Sequence, residues 1–236
     1  MKGNRFHKQS GATLMEVLIA MTISLVATAA MIAMMANSLG TTTRIIHMTK
    51  LSDDMRVAMQ MMTRDVRRSS YNANSMLCYA NDDCATDSSG LTLAGDVAID
   101  DTASCFTFLT DRDHDGDSTE DSAGGFRRVV SGGVGVIEMW VGDNAPDCSD
   151  DAGAEGWVEI TDSEDMDIFA FTVDNVLSYQ QVILTNDDGT DKLSQRVRKI
   201  RVNMQGRTVV DNTITREVQD VINVRNDLLI HHPAGA

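Results

Sequence analysis

The sequence predicts an α+β protein: one long N-terminal helix followed by an antiparallel β-sheet head. Three observations carry that prediction. No charged residue occurs from Val17 to Thr43, an apolar run long enough to cross a bilayer as a helix. Beyond it Leu51, Met55, Ala58, Met62 and Val66 recur at spacings of three and four, the period of one helical face. After Ser69 the texture changes to Asn, Ser, Asp and Gly interrupted by short β-type runs, which marks the end of the helix and the start of a head.

The first element is the apolar helix. Upstream of it lie Lys2, Arg5 and Lys8 with no acidic residue, so the positive-inside bias leaves the N-terminus in the cytoplasm and sends the remainder out. A secretory signal would end in a small-x-small cleavage site and a new domain. Here the pattern runs on, and the helix is expected from about Ala12 to about Arg68, roughly 85 Å at 1.5 Å per residue. Gly40 and Thr41 to Thr43 are its weakest point, where a bend costs least. Of 15 methionines, 11 stand at or before Met62, which suits adaptable packing of this helix against changing neighbours.

One carboxylate interrupts the apolar face. An acid inside a membrane helix costs about 2.5–3.5 kcal/mol at its centre, less near the interface, and the helix dipole tolerates it in the first turn. The surrounding residues are more specific. Gly11 followed by ATLMEVLIAM resembles the processing site of type IV prepilins, in which a membrane aspartyl peptidase cuts after the glycine and methylates the new amine. The resemblance implies that Gly11 precedes the cut, that Ala12 is the mature N-terminus, and that Glu16, at the fifth mature position, faces the Ala12 ammonium of a neighbouring subunit during assembly. Pairing two opposite charges in an apolar setting selects one axial register. Ala12 stands where the family usually has Phe, and no proline falls midway along the membrane segment.

The resemblance implies a pilin-like fold with a basic leader at 1–11, a transmembrane and assembly half of the helix at 12–38, an amphipathic half at 39–69, and a periplasmic or extracellular β-rich head at 70–236. It implies prepilin peptidase as processing partner, other major and minor pilins as partners through the N-terminal helix, and passage from the inner membrane to a fibre.

In the head, CFTFLT (105–110), FRRVV (126–130), VGVIEMWV (134–141), DIFAFTV (167–173), VRKIRVNM (197–204) and TITREVQDVINV (213–224) read as strands. Ile200, Val202 and Met204 alternate with Lys199, Arg201 and Asn203, the period of a half-buried antiparallel strand, so a single sheet against the helix is expected. The helix end MMTRDVRRSSY, then CFTFLTDRDHDGD, WVEITD and the closing VINVRN are similar in kind and order to the PilW-like minor pilins. That resemblance implies a minor pilin that helps initiate or cap a type IV pilus. A J-like pseudopilin of type II secretion shares these features, and a membrane-tethered, calcium-dependent adhesin is the reading from another class.

Composition bounds the rest. Length allows one domain plus an anchor. With 35 acidic against 20 basic residues and a net charge of -15, nucleic acid is not an expected partner, because phosphate contacts need clustered Lys and Arg. No GxSxG or HExxH occurs, and no enzyme is expected. Cys78, Cys84, Cys105 and Cys148 all follow the apolar run, as disulfides in an oxidising compartment would. Of the three possible pairings, Cys78 with Cys84 and Cys105 with Cys148 is favoured, connectivity staying open.

In DRDHDGDSTED, Asp111, Asp113, Asp115 and Gly116 reproduce the first half of an EF-hand-type loop, but the twelfth position is Ser122. Calcium is the one cofactor suggested, with Asp111, Asp113, Asp115, Asp117 and Asp121 as candidate ligands; a solvated hairpin tip is the alternative. DNAPDCSDDAGAE (143–155) and NDDGTD (186–191) read as loops. Arg196, Arg198, Lys199 and Arg201 are expected on the solvent face of a strand or paired with the acidic loops.

Overall fold

The structure, a computed structural model, describes residues 13–71, 73, 97–111, 114, 122–142, 144–185, 189, 192–225 and 227–232. The leader, Gly11, Ala12, Cys78, Cys84, Asp113, Asp115, Asp117 and Asp121 lie outside them. A single 55-residue helix, α1 (Leu14–Arg68), opens the fold, followed by eleven strands. Contacts divide the chain into two compact units, Met1–Ile46 and His47–Ala236.

In the first unit every described residue is helical or capping and exposed. Thr13 Oγ1 accepts the Glu16 backbone N–H at 3.3 Å, satisfying one of the donors left over at a helix start. The helix continues unbroken through Gly40. There the Thr41, Thr42 and Thr43 hydroxyls donate to the carbonyls of Asn37, Ser38 and Leu39 at 2.9–3.1 Å, so their polar groups are satisfied inside the helix without a partner in the apolar surroundings.

Among the described residues of the second unit the strands form three antiparallel sheets. The first is a five-stranded meander of β1 (Ala98–Ile99), β2 (Cys105–Thr110), β3 (Ser122–Ser131), β4 (Val134–Trp140) and β5 (Trp157–Glu159). The second has the order β10 (Thr215–Asn223), β9 (Lys199–Thr208), β6 (Met166–Asp174), and the third β11 (Leu228–His232), β8 (Lys192–Val197), β7 (Tyr179–Thr185). The expected single strand VRKIRVNM is split. Val197 ends β8, Arg198 lies between the strands and Lys199 onward lies in β9; Arg198 turns inward, only 3% exposed, and donates to Ser70 Oγ at 2.9 Å. There the chain passes from one sheet to the next.

The core lies where α1 meets the sheets. Leu51, Met55, Ala58, Met62 and Val66 are all buried, with Met59 added, and they share one cluster with Phe106, Phe108, Phe126, Ile137, Phe171, Ile200, Val202 and Ile222. Each such side chain contributes about 1.5–3 kcal/mol by leaving water. Space is tight at Gly206 in β9, where an added Cβ would stand 3.0 Å from Ile168 Cδ1 and 3.1 Å from Met55 Sδ; a larger residue would force both side chains to shift. The alternation expected along β9 is present, with Ile200, Val202, Met204 and Thr208 buried.

Candidate assembly interface

Two parts of the molecule stand out as candidate sites: the apolar half of α1 and the end of the head where α1 finishes. In the first, Glu16 stands in the opening turn of α1, at the third helical position, where an acid complements the helix dipole. From Leu14 to Ile46 no residue is buried; Leu14, Leu25 and Met34 are 70–82% exposed. A helix this long and apolar can cross a membrane, and its bare surface is suited to lipid or to other helices of the same kind. Glu16 is the only charged residue on it before Arg44.

At the other end of α1 the chain is stitched tightly into the head. Ser69 donates through both N–H and Oγ to the Val66 carbonyl, and Ser70 N–H donates to Leu109 O at 2.7 Å. Asp111, 1% exposed, accepts the backbone N–H groups of Ala73 at 2.7 Å and His114 at 2.6 Å. So both of its carboxylate oxygens already hold internal donors that lock the helix exit to the end of β2. Asp111 is the only proposed calcium ligand that is described; among the described residues no three His, Cys, Asp or Glu side chains converge as a metal would require.

The second acidic run is organised by an arginine that sequence reasoning missed. Arg127, 1% exposed, pairs with Glu138 (Nη2 to Oε2 2.8 Å, Nε 2.9 Å). It also donates to the carbonyls of Asp147 at 3.3 Å, Asp150 at 2.7 Å and Asp151 at 2.8 Å, and lies 4.1 Å over the Trp157 ring. Glu138 uses its other oxygen to accept the Gly153 N–H at 2.7 Å. A guanidinium here gathers the carbonyls that a hard cation would otherwise gather. Cys105 and Cys148 form a disulfide, Cα atoms 5.9 Å apart, that ties the same loop to β2. The signal for Arg127 was present in the sequence: Gly132 and Gly133, both with positive φ, make a two-residue hairpin, and counting back from it sets Arg127 opposite Glu138.

The basic cluster expected on one solvent face is dispersed. Arg198 is buried, as described above. Arg201 pairs with Asp174 at the end of β6 at 3.6 Å, and Lys199 lies 5.6 Å over the Tyr179 ring. Lys199 and Arg201 share the half-exposed face of β9, whereas Arg198, just before the strand, is buried.

Residues 44–224 match the family described as prepilin peptidase-dependent protein B, and residues 6–32 match the prokaryotic N-terminal methylation motif. No curated protein and no solved structure shows a significant match to the chain. The methylation motif covers Gly11, Ala12 and Glu16, and the longer match covers the amphipathic part of α1 and most of the head.

Proposed function

The chain belongs to the prepilin peptidase-dependent protein B family, and we propose that it acts as a minor pilin, a subunit that helps initiate or cap a type IV pilus. Pilin-type subunits of this kind are structural proteins, not enzymes, and depend on prepilin peptidase as processing partner. The observation that carries the reading is the pairing of one lone carboxylate with an otherwise bare apolar surface: Glu16 begins a helix exposed from Leu14 to Ile46. Cleavage after Gly11 creates an ammonium at Ala12, next to the positive end of the helix dipole, where it is disfavoured on its own. Glu16 of an adjacent subunit compensates it, and the pair forms only when the helices are staggered by the right amount.

In this reading residues 1–11 are the leader, 12–38 the membrane and fibre half of the helix, 39–69 the half that carries the head, and 70–236 the head. Before assembly the leader faces the cytoplasm and the head the opposite side of the inner membrane. Replacing Gly11 tests the proposal. With Gly11→Leu the chain is expected to keep its leader, remain in the inner membrane and fail to restore pili to a strain lacking it. Normal processing and full piliation would refute the assignment.

A further inference from the structure

The chain carries a net charge of -15, yet four arginines gather where α1 ends. Arg67, Arg68 and Arg225 line a cavity of about 330 Å³ together with Tyr71 and His114. The same three line a second cavity of about 450 Å³ with Arg64. Sharing three side chains, the two cavities form one basic furrow along the last turns of α1. The acids beside it are engaged internally: Asp111 holds the N–H groups of Ala73 and His114, and Asp220 accepts from Thr63 Oγ1 at 3.1 Å and Val221 N at 2.8 Å. Among the described residues the side chains of Arg67, Arg68 and Arg225 have no hydrogen bond or ion pair.

The helix dipole accounts for part of this, since cations in a last turn offset its negative end. It does not account for Arg225. That residue follows β10, and its backbone N–H donates to Arg67 O at 3.3 Å, which holds a third guanidinium beside the first two. Beside them Tyr71 and His114 meet edge to face at 5.4 Å, an aromatic ledge next to cations, the composition that concentrates binding energy at protein interfaces.

We propose that this furrow is a docking surface for an acidic segment of a neighbouring subunit's polypeptide. Guanidinium forks bind carboxylates in bidentate pairs, and a furrow running through two cavities accommodates a chain segment better than one small anion. Nucleic acid is disfavoured because a duplex carries denser charge that runs on past the furrow over the acidic remainder of the molecule, whereas a short acidic segment places its charge within the furrow. That the segment belongs to a fibre subunit rests on the pilin reading; the acid-binding surface itself does not.

The test uses the full chain in detergent and a fluorescent oligoglutamate peptide, followed by anisotropy at low salt, with inorganic phosphate and duplex DNA as competitors. Binding is expected that weakens as salt is added and falls by about tenfold or more in Arg67→Ala/Arg68→Ala/Arg225→Ala. Arg201→Ala, elsewhere on the head, is expected to bind like the parent chain. Undiminished binding by the triple variant, no binding at all, or preference for phosphate or DNA would overturn the docking surface. Mass spectrometry of the N-terminus of the parent chain separates the two readings: a processed parent chain that does not bind the peptide removes the furrow alone, and a chain that binds the peptide but is never processed removes the fibre-subunit reading alone.

Discussion

At the scale of single residues, the head is held by polar groups placed where they cannot be replaced one at a time. Arg127 and Glu138 are both almost fully buried, so deleting either leaves the other charged and without its partner. Arg127→Met or Glu138→Leu alone is expected to destabilise the head by about 3–5 kcal/mol, whereas the joint change Arg127→Met/Glu138→Leu costs less than the sum of the two single changes; chemical denaturation of the four proteins measures this. Additive losses would show that the pair acts independently. Asp100 works differently. Burial pushes its carboxyl up, but the Thr102 hydroxyl and the N–H groups of Cys105, Thr102 and Ser104 together outweigh that and hold it below the ordinary 3.8. A carboxyl lowered by folding gives stability that is complete above its unfolded value and is lost as pH falls through the lower folded value. Asp100→Asn is therefore expected to destabilise the chain at neutral pH and to converge with the parent as pH drops below about 4, measured by melting across pH. For Lys50 the sign is opposite: its hydrogen bond to Asp165 raises it above 10.5, so its contribution is lost as pH rises through that raised value, while the same contact lowers Asp165, whose contribution is lost as pH falls.

At the scale of elements, α1 divides its labour along its length. The half after His47 buries one apolar stripe in the head, and the half before it buries nothing. Met62→Ala, at a fully buried position, is expected to lower head stability by about 2–5 kcal/mol. Leu25→Ala, 70% exposed, is expected to leave melting of the detergent-solubilised chain unchanged and to reduce piliation. Equal effects of the two on melting would contradict this division. The stripe was legible in the sequence because helical periodicity is a local property: five positions spaced by three and four place themselves. Most long strands were legible for the same reason, and β2 was read to the residue. What was not legible was which strands share a sheet. Pairing is decided by side chains far apart in sequence, such as Arg198 reaching Ser70 across 128 residues. The all-exposed β7 lacks the alternation that marks a half-buried strand, so nothing local announced it. Glu16 and its neighbours were readable as a motif; the gathering of Arg225 beside Arg67 and Arg68 was not, since it arises only through the fold.

At the scale of the whole molecule, two compact units with different surroundings share one chain. The first presents an apolar helix that is long enough for a bilayer; the second is an acidic head with its own core and a disulfide between Cys105 and Cys148. The family matches span both, the methylation motif lying at the start of the first and the longer match covering most of the second. The central claim is that the chain becomes mature by cleavage after Gly11. It is tested most directly by intact-mass and N-terminal mass spectrometry of the membrane-extracted protein, from cells with and without their prepilin peptidase. The account predicts a chain beginning at methylated Ala12 when the peptidase is present and an uncut leader when it is absent. A chain that keeps its leader in both strains would contradict it, and would leave Glu16 without the partner that explains its place in the helix.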